Sequence, residues 1–367
     1  MRVAILAPLF ESVPPVLYGG TERVVANLCR GLTQANIEVV LFASGDSTAE
    51  GELVPVIEEA FRLKKVLVRD PHAYHFKMLE MVAKQAEDFD IIHNNNDYWM
   101  LPLARMTSTP LITTMHGRLD LVDMPEAFYG SLNSQFISIS DSQRLPMSLP
   151  WIKTIYHGID VDRFQFYPNS GGYLAFLGRI SSEKRPEWAI EIAKRSGIPL
   201  KIAAKIEAGL GQEYYDAFVK PHVDNRFIEY IGEISESEKS EFLGNSLATV
   251  FPVDWPEPFG LVMIESLACG TPVLARPCGS VPELLKDGIT GYCDMNIEVL
   301  ADKVKNISAI DRKGCRAWVE SKFSLQRMTE DYIHVYRHVA AQRAWRDRHR
   351  RDLVHPFQRP SDRDRQG

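Results

Sequence analysis

Glu257-Pro258-Phe259-Gly260-Leu261-Val262-Met263-Ile264-Glu265 decides how this chain reads. Two carboxylates stand eight positions apart. A proline-rich turn (Pro252, Pro256, Pro258) comes first, then an apolar run of helical period ending at Ala268-Cys269-Gly270. Proline and glycine break regular structure before Leu261, and Gly270-Thr271-Pro272 stops the helix. The pattern predicts Glu257 on a loop just before a helix and Glu265 about one turn inside it. Backbone N–H groups at Gly260 and Leu261 would be free at that helix start, a ready anion site. Two acceptor carboxylates beside such an end suit a sugar joined to a nucleotide through a diphosphate.

Outward from this stretch, short β-rich runs alternate with helical ones. In the second half, residues 173–177, 200–204, 227–231, 248–252 and 272–275 read as strands. Residues 186–195, 237–243 and 261–269 read as helices, the first opened by Pro186. In the first half, 3–7, 38–43, 90–93, 111–115 and 135–139 read as strands, and 21–35 and 72–87 as helices. Val24, Val25, Leu28 and Leu32 give the 21–35 helix its apolar stripe. Such alternation predicts parallel sheets covered on both faces. Residues 166–172, with Pro168, Asn169, Ser170, Gly171 and Gly172, are the best linker candidate.

A chain of 367 residues predicts two domains, because single cores stop growing near ~250–300 residues. The net charge of −6 argues against wholesale binding to nucleic acid. The start breaks too early, at Pro8, for a signal peptide, and no apolar run approaches the ~20 residues that span a bilayer. Membrane association is not indicated. Five scattered cysteines without a CxxC pair fit a reducing cytoplasm and no zinc site. The expected domains are 1–167, on the acceptor side, and 168–322, which binds the nucleotide sugar. A helix over 323–345 is expected to pack back on the first domain, and 346–367 reads as a charged, disordered tail.

Gly19-Gly20 lies between the first strand and the following helix, where glycine lets a ligand approach the backbone. No GxGxxG follows that strand, which argues against a dinucleotide oxidoreductase. Gly178-Arg179 ends a strand of the second half, with Lys184 five positions on. Arginine forks onto phosphate and lysine adds a compact charge, each such contact contributing ~1.5–3 kcal/mol. Taken alone, Arg179 and Lys184 also read as a solvated pair with Glu183. His116 ends a strand before Gly117. His93-Asn94-Asn95-Asn96-Asp97 is polar enough at a strand end to line an acceptor site, which makes Asn95 and Asp97 acceptor candidates.

The chain resembles the retaining glycosyltransferases of family 4, whose signature is a Glu, seven residues, then a second Glu. The resemblance runs over nearly the whole chain, through Gly19-Gly20-Thr21-Glu22, Met115-His116-Gly117, His157-Gly158-Ile159-Asp160, Leu177-Gly178-Arg179 with Lys184, and Gly288-Ile289-Thr290-Gly291. It implies an α/β GT-B fold, with two Rossmann-like domains facing across a cleft. It makes Glu265 the ribose anchor, Glu257 the contact to the donor sugar, and Arg179 and Lys184 the diphosphate clamp. Lys184 is preferred to Arg185 on motif position. Gly19, Gly20, Phe259, Gly260 and Leu261 present backbone to the donor, Ile234 borders the base, and His116 reaches the sugar near the reacting carbon. Two departures stand out: Ser280 where many members carry a second glycine, leaving the loop intact but able to alter donor choice, and His157 where Asn is commoner.

The implied activity is retaining transfer of a hexose, taken as glucose from UDP-glucose, to an acceptor hydroxyl by front-face attack. No cofactor and no divalent metal are expected, since no DxD-like motif occurs at the site. The partners are the nucleotide-sugar donor and an unread acceptor (small molecule, lipid or glycan). The alternatives are a nucleotide-sugar epimerase of the same fold and a non-catalytic nucleotide-sugar sensor.

Overall fold

The computed structural model describes residues 1–62, 68–128 and 134–354 of the chain. The first sheet holds β1 (Arg2–Leu6), β2 (Glu38–Ser44), β3 (Glu52–Ile57), β4 (Ile91–Asn94), β5 (Leu111–Thr114), β6 (Gln135–Ser138) and β7 (Trp151–Thr154). Its strands are all parallel, in the order β3-β2-β1-β4-β5-β6-β7. The second holds β8 (Leu174–Arg179), β9 (Leu200–Lys205), β10 (Ile228–Gly232), β11 (Ala248–Phe251), β12 (Val273–Ala275) and β13 (Gly291–Cys293). These too are parallel, in the order β10-β9-β8-β11-β12-β13. This is the two-sheet α/β plan that the sequence implies.

Parallel strands need crossovers, so helices cover both faces and the central strands become wholly apolar. Val3, Ala4, Ile5 and Leu6 of β1 are fully buried, as are Val24, Val25, Leu28 and Leu32 on the crossover helix Gly20–Gln34. Each large aliphatic side chain so buried contributes roughly 1.5–3 kcal/mol. A charged residue at Val25 would therefore unseat that helix.

In each sheet the strand order reverses beside the first strand of that sheet, between β1 and β4 and between β8 and β11. Crossovers leave in opposite directions there, and a crevice opens beyond the carboxyl ends of the strands. The loop carrying Gly19 follows β1, Arg179 ends β8, and the Trp255–Gly260 turn follows β11. The fold thus puts all three sequence features at switch points.

The three strands that the sequence reading did not identify, β3, β7 and β13, are sheet edges. Edge strands are short and half-polar, and Pro55 inside β3 weakens its signal further. Ile159, Val161 and Phe164 pack in the second core, so the chain changes domain before residues 166–172. The final helix, Leu325–Val354, lies on the first domain through Met328, Tyr332 and Tyr336. Tyr336 Oη lies 2.7 Å from His93 Nδ1, and Tyr332 Oη 3.0 Å from Thr114 Oγ1. Residues 346–354, read from sequence as disordered, continue this helix. The rest of that tail, 355–367, lies outside the described residues. Among the described residues, no helix is long and apolar enough to cross a membrane.

Candidate active site

The two switch-point crevices share one cleft of about 480 Å3. Two helices present their N-termini to it. Helix Gly20–Gln34 starts from Gly19 and helix Leu261–Ala268 from Gly260, and no side chain caps either. An added Cβ on Gly20 would lie 3.8 Å from Leu261 Cδ1, so the two starts face each other. Orphan N–H groups and aligned peptide dipoles make both ends attractive to an anion. Gly260 sits at φ 84, with Met263 Cε 2.7 Å from where a Cβ would be, so only glycine fits that turn.

Glu257 is 7% exposed. Its Oε2 accepts from Trp255 Nε1 at 2.8 Å and from the Lys184 ammonium. Behind it, Gly279 (φ 63) presses on the Glu257 backbone, where a Cβ would come within 2.3 Å of the nitrogen. Ser280 N donates to Glu257 O at 2.9 Å, and Ser280 Oγ donates to Phe259 O at 2.8 Å. The Ser280 hydroxyl therefore braces the loop from behind. It does not border the cleft, which corrects the expectation that it acts on donor choice.

Glu265 is 1% exposed. Lys239 Nζ donates to its Oε1 at 2.8 Å, while Oε2 has no protein partner among the described residues. Arg179 donates from Nη2 to Glu183 at 3.3 Å, and its Nε has no partner among the described residues. Arg118, from the first domain, donates to the same Glu183 at 3.0 Å. Lys184 also lies over the Trp255 ring, 4.9 Å from its centre.

His116 Nε2 meets Asn95 Oδ1 at 2.9 Å, and its buried Nδ1 has no partner among the described residues. Burial lowers its pKa to about 3, so the ring is neutral at working pH. The His157 ring stacks on His116, 5.3 Å between centres and 17° from parallel, and touches Phe259 at 4.7 Å.

The sequence profile described as "Glycosyltransferase Family 4" matches residues 18–163, and that described as "Glycosyl transferases group 1" matches residues 161–322. Together they span both domains and the cleft between them. The chain belongs to the family 4 glycosyltransferases. It is 25% identical to glycogen synthase of Mycobacterium tuberculosis over 87% of this chain and 89% of that one. It is also 25% identical to D-inositol 3-phosphate glycosyltransferase of Mycobacterium leprae, over 92% of each. The fold matches sucrose-phosphate synthase from Thermosynechococcus elongatus with a TM-score of 0.78 at 18% identity, over 93% of this chain and 100% of that one. It also matches the Anabaena HepE protein, solved with UDP-glucose, with a TM-score of 0.69 at 16% identity, over 91% and 99%.

In this glycosyltransferase one cleft gathers His116, Glu257, Gly19, Gly20, Arg179, Lys184, Ile234, Phe259, Gly260, Leu261 and Glu265. Asn95 and Asp97 do not line it. Asp97 Oδ1 accepts from His116 N at 2.9 Å, and Asn95 Oδ1 meets the His116 ring at 2.9 Å, so both brace His116.

Sequence reading missed Lys239, Trp255, His157 and Arg62. Arg62 Nη2 of the first domain donates to both carboxylate oxygens of Glu233 of the second, at 2.7 and 2.6 Å. Glu22, in the first helical turn at Gly20, also faces the cleft, and burial raises its pKa to about 7. No local pattern marks Lys239 or Arg62, because Glu265 and Glu233, the cleft carboxylates they pair with, come from distant segments. Glu22 is likewise not singled out by sequence reading, although the Gly19-Gly20-Thr21-Glu22 run that ends on it carries the signal that could have found it.

Proposed function

We propose that this glycosyltransferase moves glucose from UDP-glucose to an acceptor hydroxyl, with retention and without a divalent metal. The observation carrying this reading is the convergence of Arg179, Lys184 and two uncapped helix starts on one cleft. That is a seat for a diphosphate, and a diphosphate is the leaving group of an activated sugar. HepE, a protein of the same fold, is solved with UDP-glucose, which supports the choice of donor.

Transfer breaks the bond between the sugar C1 and the diphosphate oxygen and forms a bond from the acceptor oxygen to C1 on the same face. The acceptor proton passes to the departing phosphate oxygen. Negative charge grows on the diphosphate, and Arg179, Lys184 and the N–H groups at Gly260 and Leu261 stabilise it in place. These fixed charges take the part a divalent ion would otherwise play. Glu257, tied at Oε2 by two donors, serves as an acceptor for sugar hydroxyls and orients the ring. Neutral His116 offers its Nδ1 lone pair to a hydroxyl near C1. Glu265 offers Oε2 to the ribose. Five unpaired cysteine thiols fit work in a reducing compartment such as the cytoplasm.

The test is incubation of the purified enzyme with UDP-glucose and no added acceptor. Slow UDP release is expected, unchanged by EDTA and lost in Glu257→Ala, and with an acceptor present the product keeps the anomeric configuration. Formation of an epimeric UDP-sugar would indicate an epimerase, and tight binding without any turnover a sensor.

A further inference from the structure

Glu265 would be a poor anchor on its own. Its carboxylate is buried in the middle of a helix, where a lone charge is costly and free to turn toward any neighbouring donor. Lys239, 8% exposed on helix Glu236–Gly244, supplies the missing partner. Its ammonium lies 2.8 Å from Glu265 Oε1 and 3.1 Å from Glu236 Oε2. Two carboxylates on two helices thus fix one buried cation, and the cation fixes which oxygen of Glu265 is engaged. The other, Oε2, stays unpartnered although Glu265 lines the cleft.

The line of alternating charge continues into the first domain. Arg23, on the helix that starts at Gly20, donates to the same Glu236 oxygen. Its other terminal nitrogen, Nη2, donates to Leu17 O at 2.9 Å, in the loop that leads into Gly19-Gly20. Arg23 is itself 8% exposed. The four side chains therefore run from Glu265 in the cleft to the loop before Gly19-Gly20 without a break.

We propose that Lys239 is a positioning residue for the donor: it holds Glu265 with Oε2 turned into the cleft, in the orientation that accepts the ribose hydroxyls. The role rests on the nucleotide-sugar reading, and the test separates the two. UDP, GDP and ADP are each titrated against their 2′-deoxy forms, by calorimetry, on the wild type, Lys239→Met, Lys239→Arg, Glu265→Gln and the double variant Lys239→Met/Glu265→Gln.

The wild type is expected to bind one ribonucleotide about 10- to 100-fold more tightly than its deoxy form, the worth of one charge-assisted hydrogen bond. In Lys239→Met that preference collapses to within about threefold, while the deoxy form binds as before. Lys239→Arg restores most of it. Glu265→Gln loses it too, and adding Lys239→Met then changes the preference no further. The double variant removes both buried charges, so it stays folded even where the single lysine change leaves a carboxylate stranded.

A preference that survives intact in Lys239→Met overturns the proposal. So does a stronger preference in that variant, which would make Lys239 a competitor for Glu265. If the wild type binds no nucleoside diphosphate at millimolar levels, or binds one without preference for the ribose form, the nucleotide-sugar reading at Glu265 fails and the proposal falls with it.

Discussion

Asn95 Oδ1 lies 2.9 Å from His116 Nε2, and this contact sets the face that the histidine shows to the cleft. The Asn95 amide nitrogen points to His93 O at 3.5 Å, which leaves its oxygen for the ring. Nε2 therefore carries the proton and donates, and Nδ1 is left as a bare acceptor. Asp97 steadies the backbone beneath by accepting from His116 N.

Removing that brace should separate chemistry from binding. Asn95→Ala is expected to lower kcat by about tenfold, since a mispositioned group costs rate more than affinity. Nucleoside diphosphate affinity should stay within about twofold, because Asn95 does not line the cleft. Steady-state kinetics with a parallel titration checks both.

Glu257 holds Lys184 as much as Lys184 holds Glu257. Glu257→Gln weakens that pair and frees the ammonium for phosphate. The expected outcome is a kcat about 100-fold lower, in the range of one lost transition-state contact, with nucleoside diphosphate binding no weaker than in the wild type. Calorimetry with the nucleotide alone, set beside turnover of the intact donor, reads out the two effects.

Glu22 gives a pH signature. Burial raises its pKa from the ordinary 4.5 to about 7. Between those values the unfolded chain has lost the proton and the folded protein keeps it, so stability falls as pH rises through this window. The loss is about 3 kcal/mol at most by pH 7. Glu22→Gln cannot ionise. It is expected to melt higher than the wild type at pH 7.5, with the gap closing toward pH 4.5. Melting curves across that range test it, and a gap independent of pH would contradict it.

Arg62 of the first domain pairs with Glu233 of the second, and Glu233 lines the cleft. Both are partly exposed, so salt screens the pair. Arg62→Ala is expected to weaken donor binding about threefold to tenfold at low salt and to raise donor hydrolysis relative to transfer, as water enters a looser cleft. At ~0.5 M salt the difference should shrink. Product analysis at two ionic strengths decides it.

How much was legible in the sequence follows from locality. The paired carboxylates, the glycine turns and Arg179 with Lys184 are local patterns that the backbone itself demands, and all reach the cleft. Central strands announce themselves as unbroken apolar runs, whereas edge strands such as β3 are half-polar and do not. Lys239 sits in Ser235-Glu236-Ser237-Glu238-Lys239, which reads as a solvated helix face. Only packing against helix Leu261–Ala268 buries it. Arg62 and Arg23 each find a carboxylate of the second domain, Glu233 and Glu236, more than 150 positions away. Asn95 and Asp97 read as a polar strand end, and sequence does not distinguish a side chain facing an acceptor from one facing His116.

Whether the cleft grips an activated sugar by its diphosphate is read from thermal unfolding of the purified enzyme with UDP-, GDP-, ADP- and TDP-sugars, repeated on Arg179→Ala/Lys184→Ala. One donor should stabilise the wild type by about 2.7 kcal/mol at 100-fold its Kd, and the double variant should lose that gain. Absence of stabilisation by every donor at millimolar levels, or an equal gain in the double variant, would contradict the claim.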